Sequence, residues 1–244
     1  MSGSQSEGRA VFVTGASSGI GAAIAQELAA LGYVVGCVSR RGTVPFDSER
    51  VVAISADVID EQAARGALTS FAESYGLAGL VNAAGAYKWA PSADVDLAVF
   101  RDVLELNLVS AVRLAQLARP YLEASGRGFI ANIGSVYADL GVPQTLAYSA
   151  SKAALASVTR TLAVEWAQMG ISVINFAPGY VETELNSSAL ADPAVRDRIA
   201  RRIPVRRIGT AGEVGRLVAR VLGAGCEFLT GESITVDGGQ RVQI

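Results

Sequence analysis

The chain has 244 residues, 50% of them hydrophobic and 18% charged, with a formal net charge of −2. That length suits one large α/β domain or two small ones with a sizeable core, and the near-neutral charge gives no case for nucleic acid or an anionic membrane surface as partner. The chain has no histidine, and its only cysteines are Cys37 and Cys226. This argues against a zinc site and against Ser-His-Asp or Cys-His mechanisms, and leaves acid–base work to Tyr, Lys, Asp or Glu.

Residues 1–9, MSGSQSEGR, are polar and read as a flexible leader without the apolar stretch of a signal peptide. AVFVTG predicts a buried strand, followed by a glycine-rich turn and a helix through GAAIAQELAALG that stops at Gly32. YVVGCVS and VVAISADV predict the second and third strands, EQAARGALTSFAESYG a helix, and LAGLVNAAG a fourth strand. A long helical region from about Asp96 to Glu123 precedes the strand GFIANIGS. The next helix carries Leu155, Val158, Leu162 and Trp166 at helical spacing, and ISVINFAPG predicts another strand. An Arg-rich segment from Glu182 to Arg207 leads to a helix near Glu213 to Leu222 and a last strand, ESITVDGG. Strands alternating with helices imply parallel βαβ units, and near-continuous apolar strands imply a sheet covered on both faces. No linker divides the chain, so residues 10–244 read as one doubly wound α/β domain. Uncharged runs are broken by charge before membrane-spanning length, and both cysteines read as buried free thiols of a reducing cytosol, hence a cytoplasmic protein.

Two stretches carry chemistry. TGASSGIG, Thr14 to Gly21, leaves a strand and opens a helix. Gly15, Gly19 and Gly21 let the backbone turn tightly and approach a pyrophosphate, which the helix N-terminus would attract. LAYSASKAAL places Tyr148 four residues before Lys152, on one face of a helix. A free phenol ionises near pH 10, and a neighbouring cation favours its phenolate, so this pair can do the work often given to histidine.

These stretches, with ADV at Ala56–Val58, NAAG at Asn82–Gly85, Asn107 in ELNLVS, Ser135 in NIGS, PGYVET at Pro178–Thr183 and the closing VDGG, occur in order along the chain. The sequence resembles the classical short-chain dehydrogenase/reductase family across roughly Ala10 to Gly239. The resemblance implies a single Rossmann domain, usually a homotetramer, that transfers hydride between a nicotinamide cofactor and a carbonyl or secondary alcohol. It implies a catalytic group of Asn107, Ser135, Tyr148 and Lys152. Tyr148 would exchange the proton, Ser135 would hold the substrate oxygen, Lys152 would also bind the cofactor ribose, and Asn107 would support a water-mediated relay. Around the cofactor it places Gly15, Ser17, Ser18, Gly19, Ile20 and Gly21 at the phosphates and Asp57 with Val58 at the adenine. Asn82, Ala83 and Gly85 would wall the adenine ribose, and Pro178, Gly179, Val181 and Thr183 would border the nicotinamide. Ala83 stands where the family often has a second asparagine. Taken singly, each residue also suits an ordinary structural role.

The second strand ends VSRR. Ser39 stands where a carboxylate would read a ribose 2′-hydroxyl, and Arg40 and Arg41 suit a 2′-phosphate, so NADP(H) is favoured. The connection GTVPFDSER is too short for the family's usual helix, and Asp47 or Glu49 could instead reach the ribose, which keeps NAD(H) open. The substrate pocket is expected among Tyr87, Trp89, Tyr137, Gln144 and Tyr180, under a flap near 184–207. This mix suits a compact cyclic or polyhydroxylated molecule or a hydrophobic ketone. The leading reading is an NADP-dependent oxidoreductase on a small carbonyl or alcohol substrate. The alternative is an NAD-dependent dehydrogenase of a sugar acid, polyol or cyclic diol. A 3-oxoacyl thioester reductase and a non-catalytic dinucleotide sensor rank below them.

Overall fold

Apolar side chains on both faces of the strands force the sheet to the middle of the molecule. The computed structural model describes residues 10–225 and 227–243; the expectations placed on the leader 1–9 and on Cys226 lie outside the described residues. β1 (Ala10–Thr14) leads through the glycine turn into α1 (Gly19–Ala30), and β2 (Val34–Ser39) passes directly to β3 (Val51–Ser55). There follow α2 (Glu61–Tyr75), β4 (Gly79–Asn82), α3 (Leu97–Leu104), a π turn (Glu105–Val109), α4 (Ser110–Ala124), β5 (Gly128–Ile133), α5 (Leu146–Trp166) and β6 (Ile171–Pro178). The chain ends with β7 (Val181–Glu182), α6 (Ser187–Leu190), α7 (Pro193–Arg201), β8 (Gly209–Thr210), α8 (Ala211–Ala224) and β9 (Ser233–Val236).

Seven strands form one parallel sheet in the order β3-β2-β1-β4-β5-β6-β9, and β7 pairs only with β8. Alternation along β1 divides the core. Phe12 packs with Leu68, Phe71, Leu80, Leu114 and Trp166 under α2, α4 and α5. Val11 and Val13 pack with Ile24, Leu28, Phe176, Val214 and Val218 under α1 and α8. Strand order reverses between β1 and β4, so the loops after these strands part and open a crevice at their carboxyl ends.

The expected long helix from Asp96 to Glu123 is interrupted. Asp96 caps α3 through Ala98 N–H (2.7 Å), and the backbone widens into the π turn before α4 resumes. The expected third and fourth strands are shorter than read, because Ala56–Val58 and Ala83–Gly85 turn away from the sheet. No helix crosses from β2 to β3. Val44 and Phe46 instead lay their side chains against the α1 and α8 core, and Gly42, at φ +60°, donates to Ser39 Oγ at 3.1 Å. The Arg-rich segment forms α6 and α7. Thr210 and Glu213 form a capping box that starts α8, each satisfying the other's backbone N–H.

α1 and α8 approach so closely that Gly215 has no room for a side chain: a Cβ there would lie 2.8 Å from the Ala23 carbonyl carbon and oxygen. Gly215→Ala is expected to lower stability by about 1–3 kcal/mol, because backbone cannot move aside as a flexible side chain can. Urea unfolding should show a lower midpoint at an unchanged slope.

Candidate active site

The crevice is a cleft of about 800 Å³ running from the glycine turn to the start of α5. At one end, Gly15 and Gly19 adopt left-handed φ values of +67° and +56°. A Cβ at Gly15 would lie 2.8 Å from Ala84 N, and one at Gly21 would collide with the Gly15 carbonyl. The turn therefore has to be glycine to fold against the end of β4. Ser18 supplies no side-chain cap to α1. The first N–H groups of that helix are left facing the cleft, where an anionic pyrophosphate fits them. Ser17, Ser18, Ile20, Ala83 and Gly85 line the same stretch. Thr14, which sequence reasoning passed over, organises it: its hydroxyl accepts both Ala83 N–H and Ala84 N–H at 3.1 Å. Its signal was only a hydroxyl at a strand end.

At the other end α5 presents Tyr148 and Lys152 on one face. Lys152 is buried and its Nζ donates to Ile133 O at 2.6 Å. It stands 5.6 Å from the centre of the Tyr148 ring. Burial pulls the Lys152 ammonium down to about 8. Burial also pushes the Tyr148 phenol up, and a hydrogen bond with Ser135 draws it partly back. Ser135 thus adds a second influence on the phenol beside the lysine that shares its helix face. Ser135, buried after β5, accepts Tyr137 N–H at 3.2 Å, which leaves its own proton for Tyr148.

Asn107 lies within the π turn and is buried. Its Oδ1 accepts Ala86 N–H at 2.7 Å, and its Nδ2 donates to Ala86 O and Ser151 Oγ, each at 3.0 Å. A Cβ at Gly85 would lie 3.2 Å from that Oδ1, which explains glycine there. Ser151, also missed at sequence level, donates to Tyr148 O at 2.7 Å and so ties the asparagine to α5.

The lining also includes Asp57, Val58, Pro178, Gly179, Val181 and Thr183. Gly179 permits the turn after β6 to lie on the 237–240 turn, since a Cβ would sit 2.6 Å from Asp237 Cβ. Asn186 Oδ1 accepts Thr183 N–H at 2.9 Å and fixes the turn that leads into α6. At the carboxyl end of β2, Ser39, Arg40 and Arg41 line the cleft, whereas Asp47 and Glu49 do not. Arg41 donates to Ser17 Oγ at 3.1 Å and pairs with Glu184 at 3.7 Å.

Tyr87, Trp89, Tyr137 and Tyr180, expected at the substrate, line the same cleft as Tyr148. Two expected residues fall elsewhere. Gln144 is exposed, outside the lining, and its carbonyl accepts Ala90 N–H at 3.1 Å. Its backbone takes φ +67°, which turns the chain before α5. Asn82 is buried behind the cleft wall, where its amide donates to Asn132 Oδ1 at 2.8 Å. Asn132 in turn donates to Thr159 Oγ1 at 2.9 Å. Asn82 therefore joins β4 to β5 and α5 instead of bordering the ribose directly.

A dinucleotide cradle at a strand-order reversal, with a tyrosine, a serine and a buried lysine at its far end, defines an oxidoreductase of alcohol and carbonyl groups. Residues 15–241 match the family model described as enoyl-(acyl carrier protein) reductase. Cis-4-hydroxycyclohexanecarboxylate dehydrogenase of Sinomonas cyclohexanicum is 34% identical over 240 residues, spanning 95% of this chain and 96% of that enzyme. The 3-oxoacyl-(acyl-carrier-protein) reductase MabA of Mycobacterium avium is 34% identical over 232 residues, spanning 95% of this chain and 89% of its own. A gluconate 5-dehydrogenase from Burkholderia cenocepacia, solved in complex with NADP and tartrate, superposes with a TM-score of 0.89 at 28% identity, covering 98% of this chain and 97% of that one. The chain belongs to the short-chain dehydrogenase/reductase family.

The buried ammonium has a measurable cost. Lys152→Met is expected to raise the unfolding midpoint at pH 7 by the equivalent of about 1–2 kcal/mol while removing activity. Below pH 8 the wild-type lysine is charged in both folded and unfolded protein, so the penalty is fully present. Between about 8 and 10.5 the folded protein gives up the proton first, so wild-type stability rises with pH and the gap closes. Thermal unfolding of both proteins across that range checks the sign.

Proposed function

We propose that the protein uses NADP(H) to interconvert a secondary alcohol and its carbonyl compound. The supporting observation is the convergence of Ser135, Tyr148 and Lys152 on one cleft whose opposite end carries Arg40 and Arg41 beside Ser39. A bound nicotinamide supplies or accepts the hydride. Tyr148 Oη gives its proton to the developing alkoxide, or takes it in the reverse direction. Ser135 turns its proton from Tyr148 to the substrate oxygen and holds that oxygen against Tyr148. The Lys152 charge favours the phenolate and keeps two N–H bonds for the cofactor ribose. Asn107 has both amide hydrogens engaged, and one remaining Oδ1 lone pair suits a relay water behind the lysine.

At the adenosine end, the Ser17 hydroxyl, the Arg41 guanidinium and the exposed Arg40 suit a ribose 2′-phosphate. A second reading is an NAD-dependent dehydrogenase of a sugar acid, polyol or cyclic diol; the names of two relatives, one for a hydroxycyclohexanecarboxylate and one, solved with NADP, for gluconate, support its substrate class and not its cofactor. The reading includes a cytoplasmic homotetramer. Val109 on the π turn and Leu146 and Val164 on α5 remain apolar and exposed, Val164 by 81%, which suits a subunit contact. Among the described residues no helix is long and apolar enough to cross a membrane.

Cofactor absorbance, followed in both directions with NADP(H) and NAD(H) and a panel of ketones, hydroxy acids and cyclic alcohols, tests the reading. Tyr148→Phe should lower kcat by roughly 10²–10⁴-fold while the dinucleotide still binds. Replacing Arg40 and Arg41 together by alanine should lower kcat/KM for NADPH by roughly 10- to 100-fold and leave NADH within a few-fold. Equal losses with both cofactors would favour the NAD reading.

A further inference from the structure

One ion pair joins the two sides of the cleft. Arg41, past the end of β2, donates from Nη2 to Ser17 Oγ at 3.1 Å, and the same nitrogen stands 3.7 Å from Glu184 Oε2. Ser17, Arg41 and Glu184 all line the cleft. The backbone on each side is held. Ser55 Oγ donates to Arg40 O at 3.2 Å, and Gly42 N–H to Ser39 Oγ at 3.1 Å. On the facing segment Asn186 Nδ2 donates to Val181 O at 2.8 Å, and Ser187 Oγ donates to Glu184 O at 3.1 Å. Thr183 lies against the glycine turn, since a Cβ at Gly19 would sit 3.3 Å from its side chain. Glu184 is thereby kept beside the cradle. The paired side chains are held much less firmly. They are 61% and 67% exposed, so water screens the pair and either partner can be exchanged at little cost. Two nearby carboxylates are engaged elsewhere: Glu182 pairs with Arg196, and Asp57 Oδ1 accepts Ile59 N–H at 3.2 Å.

We propose that Glu184 is a specificity-determining residue whose carboxylate competes with the 2′-phosphate of NADP(H) for the Arg41 guanidinium. The inference deepens the NADP reading and rests on it. A 2′-phosphate held by Arg41 has to take the guanidinium from Glu184. A phosphate monoester carries nearly two negative charges and its oxygens match the planar guanidinium, so it wins the exchange. Glu184 then returns wholly to water. The NAD(H) ribose presents hydroxyls there and leaves the ion pair in place. Glu184 therefore narrows the difference in affinity that Arg40 and Arg41 create between the two dinucleotides.

Calorimetric titration with oxidised NADP and oxidised NAD, in the absence of substrate, tests this without turnover. Glu184→Gln should bind NADP about three- to fivefold more tightly than wild type, the size of one exposed ion pair, and NAD within roughly twofold of wild type. Added salt should shrink the gain. In an Arg41→Ala background the same substitution should change neither affinity, because the competition acts through Arg41. A gain that persists without Arg41 would mean direct repulsion between Glu184 and the phosphate and would overturn the proposal. So would an unchanged NADP affinity, no binding of either dinucleotide, or an equal loss for both, which would make the ion pair a strap over the bound nucleotide. A wild type that prefers NADP but does not respond to Glu184→Gln would keep the NADP reading and lose the competition. A wild type that prefers NAD, yet gains NADP affinity through Arg41 in Glu184→Gln, would keep the competition and lose the NADP reading.

Discussion

The interaction on which the rest depends is the burial of the Lys152 ammonium against the Ile133 carbonyl. A cation out of water is costly, and the fold accepts it only because other elements are fixed around it. The end of β5 supplies the acceptor and α5 supplies the stem. In the proposed reaction, the same desolvation that costs stability makes the charge effective at short range, where the Tyr148 phenol would change its proton affinity. Stability and chemistry therefore pull in opposite directions at this residue.

Tyr148 shows how narrow that arrangement is. Burial alone would keep its phenol firmly protonated. Ser135 counters this by hydrogen bonding, and Ser135 is itself oriented by the Tyr137 N–H. Asn107 connects the other side, since its amide spans the strand-end loop at Ala86 and the α5 hydroxyl of Ser151. The π turn allows this: it breaks the helical repeat at the position where the asparagine must face inward. The interruption of the expected long helix and the placement of Asn107 are one feature.

Much of this was legible in the sequence, for identifiable reasons. The parallel sheet followed from apolar strands alternating with amphipathic helices. The cradle followed from glycines at positions where only glycine avoids collision, as Gly15 and Gly21 do. Tyr148 and Lys152 followed from helical spacing. Other features were not readable because they depend on contacts distant in sequence. Asn82 turns inward because Asn132, 50 residues later, offers an acceptor. Thr14 organises a turn 69 residues away. Gln144 looked like pocket lining from its place between Ser135 and Tyr148, but a left-handed backbone carries it outward. The π turn leaves no mark in hydrophobic periodicity, and the β7–β8 ladder joins two short segments that carry no strand pattern of their own.

The most direct test of the buried-cation account is the protonation constant of Lys152 itself. The chain contains two lysines, Lys88 and Lys152, so lysine labelled at the side-chain nitrogen and neighbouring carbon gives two resonances to follow by NMR across alkaline pH. Lys88 is exposed, and Lys152→Met assigns the other signal by its loss. A midpoint for Lys152 near 8 would show an ammonium held in a desolvated site at the base of the cleft. A midpoint at the ordinary 10.5 would mean that water reaches the amine, and the electrostatic link between Lys152 and Tyr148 would not hold.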